Sequence, residues 1–163
     1  MGEGVVSMMY VFDTNSFIVL SHYFPERFPS FWTKLDELVL EGRMISVREV
    51  LNELSGTGIK THMHEWIQGH KAIFLPPSEE ESKFVSSIFA VPHFQYLVNE
   101  KQRLKGTPVA DPFVVASAKI KQGCVVTEED KKPNAAKIPN VCEHFGIDCT
   151  DLEGFMEHEG WIF

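Results

Sequence analysis

Short apolar runs, each followed by a stretch with helical spacing, constrain this chain more than any other feature. The runs are Tyr10–Phe12, Met44–Ser46, Ala72–Leu75, Val125–Thr127 and Ile147–Cys149. Most are apolar at consecutive positions, so both faces of each strand are expected to be buried, as in a parallel sheet. "FPSFWTKLDELVLEG" puts Phe31, Leu35, Leu38 and Val39 on one side and stops at Gly42. "SEEESKFVSSIFA" opens with Ser78 and Glu81 at capping-box spacing. "DPFVVASAKIKQG" offers Asp111 as an N-cap and Pro112 in the first turn. "TDLEGFMEHEG" repeats the capping box with Thr150 and Glu153. Strands alternating with helices favour a layered α/β fold around a parallel sheet.

The 163 residues are 44% apolar, enough for one globular core and unlike a disordered chain. There is no internal repeat or low-complexity linker, so 9–163 reads as a single domain. The Gly-rich "MGEGVVS" makes 1–8 a disordered leader or a start-site artefact. No run approaches the ~20 residues of a membrane span, and no basic patch leads into an apolar run as in a signal peptide. Cys124, Cys142 and Cys149 are odd in number and loosely spaced, which argues against a disulfide framework and for a reducing cytoplasm. The net charge of −8 disfavours a generic nucleic-acid binder and suits a cation pocket or a basic partner. The polar, proline-bearing "EEDKKPNAAKIP" is expected to be the most mobile segment.

In parallel α/β sheets, sites form outside the carboxyl ends of the strands. Acids gather at those positions. Asp13 ends the first strand, with Thr14 and Asn15 after it. Glu49 and Glu53 follow the second strand on one face of a short helix. Asp111 opens a helix, and Glu128, Glu129 and Asp130 follow the fourth strand. Clustered carboxylates repel and raise one another's pKa unless a cation lies between them. A hard divalent ion, Mg²⁺ or Mn²⁺, meets that need and can activate water against a phosphodiester. Each acid also has an ordinary role available. Asp111 caps a helix, Glu49 and Glu53 form a solvated face, and "EED" is a polar loop. Asp13 is the least easily dismissed, because the strand before it is apolar throughout.

Taken in order, these segments resemble a PIN domain. "VFDTNSFI" is similar to that family's first strand and first acid, "ISVREVLNEL" to the segment ending in the second, and "ADPFVVASAK" to the third-acid motif. "CVVTEED" is similar to the final strand and fourth acid, and "KIPNVCEHFGIDCTDLEGFM" matches the last strand and helix more loosely. The whole is similar to a poorly characterised bacterial PIN subfamily related to VapC-like toxins. The resemblance implies a three-layer α/β/α sandwich with a central parallel sheet. It also implies a Mg²⁺- or Mn²⁺-dependent ribonuclease with RNA as substrate and an antitoxin protein as partner; a homodimer stays open. It carries the four acids to Asp13, Glu53, Asp111 and Glu129, with Asn15 and Thr127 in support. Glu stands where the family usually has Asp at the fourth position, so Asp130 is an alternate, as is Glu49 for Glu53. A catalytically silent PIN-fold binding module is the alternative function. A receiver or nucleotide-binding domain is weaker, since there is no Gly-rich phosphate loop and only one acid at the first strand.

Other features read as structural. His62, His64, Glu65 and His70 fall in a helical segment where i and i+2 diverge. Cys142, His144 and Cys149 lack a fourth zinc ligand. Lys101, Arg103 and Lys105 form a basic run suited to a solvated helix end. With Lys119, Lys121, Lys131 and Lys132 they are also candidates for phosphate positioning. Phe24, Phe28, Phe31 and Trp32 are expected in the core, with a partner patch as the lesser reading.

Overall fold

The computed structural model describes residues 8–97 and 109–163. The basic run at Lys101, Arg103 and Lys105, and all of the expected leader except Met8, lie outside the described residues. The strands are β1 (Tyr10–Phe12), β2 (Met44–Val47), β3 (Phe74–Leu75), β4 (Cys124–Val126) and β5 (Cys149–Thr150). The described helices are α1 (Thr14–Leu20), α2 (Pro29–Leu40), α3 (Arg48–Leu54), α4 (Thr61–Gly69), α5 (Glu79–Phe89), α6 (Asp111–Lys121), α7 (Ile138–Phe145) and α8 (Leu152–Glu159). Short 3-10 turns cover Lys71–Ile73 and Pro92–Leu97.

All strand pairs are parallel, in the order β3-β2-β1-β4-β5. Helices flank this sheet, giving the α/β/α sandwich expected from the sequence. The chain winds from β1 outward to β3, then returns to the other side of β1 for β4. The point where winding reverses lies at the carboxyl ends of β1 and β4, where a crevice opens in sheets of this kind. Asp13 and Thr127 are the first residues beyond those two strands.

Alternation along β1 divides its side chains between the two faces. Tyr10 and Phe12 both meet Phe155 of α8 edge to face, with ring centroids 4.7 and 5.1 Å apart. Phe155 is fully buried, and truncating such a residue to Ala costs about 3–5 kcal/mol. Helix α6 packs across β1, β2 and β4 and against α5. Its run of buried Val114, Val115, Ala116 and Ala118 lets the backbone lie close to the sheet. Phe31 and Trp32 are buried as expected, whereas Phe24 and Phe28 are exposed.

The third and fifth strands begin later than their hydropathy implies. Lys71–Ile73 is a 3-10 turn closing off α4, so the third strand is left with Phe74 and Leu75. Ile147 is held in the turn that ends α7, donating its N–H to Cys142 O at 2.8 Å, and pairing starts at Cys149. Two expected caps differ as well. The turn into α6 starts at Ala110, whose carbonyl accepts from Phe113 and Val114, so Asp111 is the first helical residue and not the cap. The cap of α8 is Asp151, whose carboxylate accepts from Gly154 N–H at 2.8 Å, and not Thr150. The Ser78–Glu81 capping box forms as expected, with both reciprocal bonds present.

Candidate metal centre

The backbone of Asp13 is extended and continues the ladder for one more bond, its N–H donating to Val126 O at 2.9 Å. The next residue begins α1. A side chain at this junction projects from the sheet edge toward whatever follows β4. Two buried hydroxyls fix the edge. Ser16 Oγ donates to Val126 O (2.9 Å) and Ser46 Oγ to Phe12 O (2.6 Å).

The Asp13 side chain is 2% exposed and Asp111 is 6% exposed, while Glu129 is half-buried. One carboxylate oxygen from each of the three lies within 4.8 Å of the others. They arrive from three separate elements: the end of β1, the first residue of α6, and the loop after β4. Asp13 occupies the N-cap position of α1, yet its carboxylate makes no capping bond there. Its Oδ2 accepts from the Thr127 hydroxyl at 3.0 Å, and its buried Oδ1 has no hydrogen-bond partner among the described residues. Burial pushes the Asp13 carboxyl well above its ordinary range, and the neighbouring Asp111 and Glu129 push it further. The Thr14 backbone N–H and the Thr127 hydroxyl pull weakly the other way.

Thr127 and Asn15 tie the two strand ends together. Asn15 Oδ1 accepts from Glu128 N–H at 2.9 Å and lies 3.3 Å from the Thr127 hydroxyl. A hydroxyl has one proton to donate, and the nearer acceptor is Asp13. Thr127 Oγ in turn accepts from Glu129 N–H at 3.2 Å, which sets the start of the acidic loop. Beyond it the two glutamates anchor successive helices. Glu129 Oε1 accepts from Ile138 N–H at the start of α7 (3.0 Å), and Glu128 Oε1 from Leu152 N–H at the start of α8 (2.8 Å). Carboxylates at these positions oppose the positive ends of the helices.

Glu53 is not in the group of three. Its Oε1 accepts from Thr14 Oγ at 2.6 Å and its Oε2 from Ala110 N–H at 3.0 Å. It thereby links the first turn of α1 to the residue before Asp111. Glu49 also stays outside. It is 2% exposed, and its Oε2 takes a forked bond from Arg48 at 3.2 and 2.8 Å. Asp130 is exposed and not in the group. Ser16, Ser46 and the Thr14 link to Glu53 were missed by sequence reasoning. A hydroxyl at a strand end signals a polar position but not its distant partner.

A cleft of about 410 Å³ opens beside the three acids, lined by Thr127, Glu129, Asp130, Lys131, Cys142 and Cys149 among others. Thr127 and Glu129 join it to the acidic group. Lys131 at its wall pairs with Glu143 at 2.6 Å. Lys121 is taken up by the buried Glu81. Of the histidines of the helical segment, His64 is exposed, while His62 and His70 pack with aromatic rings. His70 stacks on Trp66 at 3.9 Å, and His62 lies among Phe24 and Trp32. His144 lies against Phe94 and Phe145, and among the described residues no His or Cys joins a three-ligand group.

A metal ion fits this site on the chemistry of its donors. Three oxygen ligands converge, and the buried Oδ1 of Asp13 has no hydrogen-bond partner among the described residues. Hard divalent cations prefer oxygen ligands of this type. The fold and the acidic crevice together define a parallel α/β protein with a carboxylate-lined site at its switch point. The chain belongs to the family described as a domain of unknown function (DUF4411), which matches residues 10–163. No curated protein sequence matches it. Among solved structures it is similar to VapBC2 from Rickettsia felis bound to a DNA fragment from their promoter. That match has 14% identity and a TM-score of 0.53, covering 88% of this chain and 98% of the other. It is similar to FitAB bound to an IR36 DNA fragment, at 17% identity and a TM-score of 0.51, covering 88% and 94%. FitAcB from Neisseria gonorrhoeae matches at 17% identity and a TM-score of 0.49, covering 87% and 96%. The likenesses to VapBC2 and FitAB show a shared fold.

Proposed function

We propose that this protein is a divalent-metal-dependent endoribonuclease of PIN type and the toxin of a toxin–antitoxin pair. The observation that carries the reading is Asp13 Oδ1. It is buried and has no hydrogen-bond partner among the described residues, beside the carboxylates of Asp111 and Glu129. A stable fold alone gives no reason to bury a carboxyl oxygen without a partner next to two further carboxylates. Asp13, Asp111 and Glu129 would hold Mg²⁺ or Mn²⁺. When bound, such an ion supplies an activated water at neutral pH and offsets charge on a phosphodiester.

The chain's own residues hold that site in order. Thr127 fixes the rotamer of Asp13 and, through Glu129 N–H, the course of the acidic loop. Glu53 fixes the start of α6 and so the position of Asp111, a positioning role in place of direct ligation. Asn15 joins the two strand ends. The family likeness and the shared fold with VapBC2 and FitAB support RNA as the substrate and an antitoxin as the partner. Exposed Phe24 and Phe28 offer apolar surface for such a partner.

The test is calorimetric titration of Mn²⁺, paired with cleavage of single-stranded RNA, for the native protein and Asp13→Asn. Carboxylate-dependent Mn²⁺ binding with metal-dependent cleavage, both lost in a folded Asp13→Asn, is the expected result. Full cleavage by pure Asp13→Asn removes the site assignment. No Mn²⁺ binding by the native protein leaves a silent PIN-fold module.

A further inference from the structure

We propose that the cleft beside the three acids holds the base next to the scissile phosphate and, through Asp130 and Asp148, selects a nucleobase with an exocyclic amine over uracil. The proposal rests on the ribonuclease reading above and adds a substrate specificity to it. The cleft has a volume of about 410 Å³, within the ~300–1,000 Å³ of small-ligand pockets. It is continuous with the acidic group. Glu129 belongs to both, and Thr127, which also lines the cleft, donates to Asp13 at 3.0 Å. A single-stranded RNA with its phosphodiester at the acids therefore has a cleft beside it for a splayed-out base, the usual target of sequence-specific RNA recognition.

The walls are held by hydrogen bonds. On the sheet side, Val125 N–H donates to Asp148 O and Thr127 N–H to Thr150 O, both at 2.9 Å, which fixes the end of β5. On the loop side, Glu129 Oε1 accepts from Ile138 N–H at 3.0 Å and Asn140 Nδ2 donates to Lys132 O at 2.7 Å. The segment that carries Asp130 is thus braced against α7 before and after that residue. Pro139, Cys142 and Ile147 give the cleft apolar surface for the faces of a ring.

Charge decides what enters. Among the described residues Lys131 is the single cation lining the cleft, and it pairs with Glu143 at 2.6 Å. A second phosphate would meet carboxylates with no free cation and be repelled. Of the lining acids, Asp151 is taken up by Gly154 N–H and Glu129 by Ile138 N–H and the metal group. Asp130 and Asp148 are left. Both are exposed, and among the described residues their side chains make no hydrogen bond or ion pair. An ionised carboxylate only accepts, so it favours a base edge that donates. Cytosine, adenine and guanine each offer an exocyclic amine, as in the pairing of Asp or Glu with the cytosine amine. Uracil carries oxygens where cytosine has its amine, and those oxygens face like partial charge.

The full chain is given Mn²⁺ and a mixed-sequence single-stranded RNA under limited digestion, and the cut sites are sequenced. Uridine is expected to be depleted about tenfold at one fixed position flanking the cut, the scale of a direct base contact. In Asp130→Asn and Asp148→Asn the new amide can donate to a uracil oxygen, so the depletion should shrink while calorimetry shows Mn²⁺ still bound. Uridine as frequent as the other bases on both sides of the cut overturns the proposal, as does undiminished depletion in both variants. Loss of Mn²⁺ binding in either variant also overturns it, because that residue is then a cation ligand. A second measurement does not depend on cleavage. The isotope-labelled chain is titrated in chelator with cytidine and with uridine, nucleosides of similar size that carry no phosphate, and followed by amide NMR. Cytidine is expected to shift the amides of Asp130, Ile147 and Asp148 and uridine to shift them less; equal shifts, or none, overturn the proposal. Cytidine-selective shifts in a protein that cuts no RNA remove the ribonuclease reading and leave the base-selective cleft standing.

Discussion

Glu53 accepts the backbone N–H of Ala110 at 3.0 Å, so a helix after the second strand holds the residue that precedes Asp111. The same carboxylate accepts the Thr14 hydroxyl, one residue after Asp13. A single side chain thus spans the approaches to two of the three clustered acids without joining them. Glu53→Gln keeps one acceptor and offers an N–H₂ group that cannot accept from Ala110 or Thr14. It is expected to cost about 1.5–3 kcal/mol in urea unfolding, the range for a hydrogen bond to a charged group. Mn²⁺ binding should weaken but persist, whereas Asp13→Asn should abolish it. Equal loss in both variants would make Glu53 a direct ligand.

Thr127 separates orientation from charge. Thr127→Val removes the donor to Asp13 Oδ2 and the acceptor of Glu129 N–H while keeping the shape. Mn²⁺ affinity is expected to fall about tenfold, typical of losing a ligand's supporting contact. Thr127→Ser should restore it, because the hydroxyl returns. A Thr127→Ser protein as weak as Thr127→Val would point to methyl packing as the cause.

The start of α8 allows a direct stability comparison. Asp151 caps the helix through Gly154 N–H, and Thr150 belongs to β5. Asp151→Ala is expected to lower unfolding free energy by about 1 kcal/mol, the usual cost of losing an N-cap. Thr150→Ala should not reproduce a capping loss. The reverse order in denaturant melts would restore Thr150 as the cap.

The fold was legible because its cause is local. Tyr10–Phe12 is apolar throughout, and a strand buried on both faces requires that pattern. The Ser78 capping box forms for the same reason, since its partners are three residues apart. Thr150 was misread because "TD" offers two adjacent capping residues, and only the pairing of Thr150 with Val126 decides between them. At the site, the acids at strand ends were visible in the sequence, and the structure brings Asp13, Asp111 and Glu129 together. The place of Glu53 was not legible. Its partners lie 39 and 57 residues away, and no spacing rule encodes such contacts.

The buried charge of Asp13 makes stability and cation binding depend on pH in opposite directions. Its carboxyl in the folded protein is raised above the ordinary 3.8 by burial and by Asp111 and Glu129. Between 3.8 and the folded value, the folded state holds a proton that the unfolded state has released. Unfolding therefore releases a proton in that window, and the stability from Asp13 is lost as pH rises through it. The metal-free native protein is expected to lose stability relative to Asp13→Asn as pH rises from 3.8 toward the raised folded value. The amide has no charge to develop, so the difference between the two proteins reports the titration of Asp13 together with the carboxylates it is coupled to. Cation binding runs the other way, because Mn²⁺ must displace that proton, so affinity should rise with pH over the same range. Thermal melts of both proteins in chelator, with Mn²⁺ titrations at each pH, check the two slopes together. A native-to-Asn difference that stays flat with pH would mean that Asp13 ionises as an ordinary carboxylate, and the clustering of charge around it would be wrong.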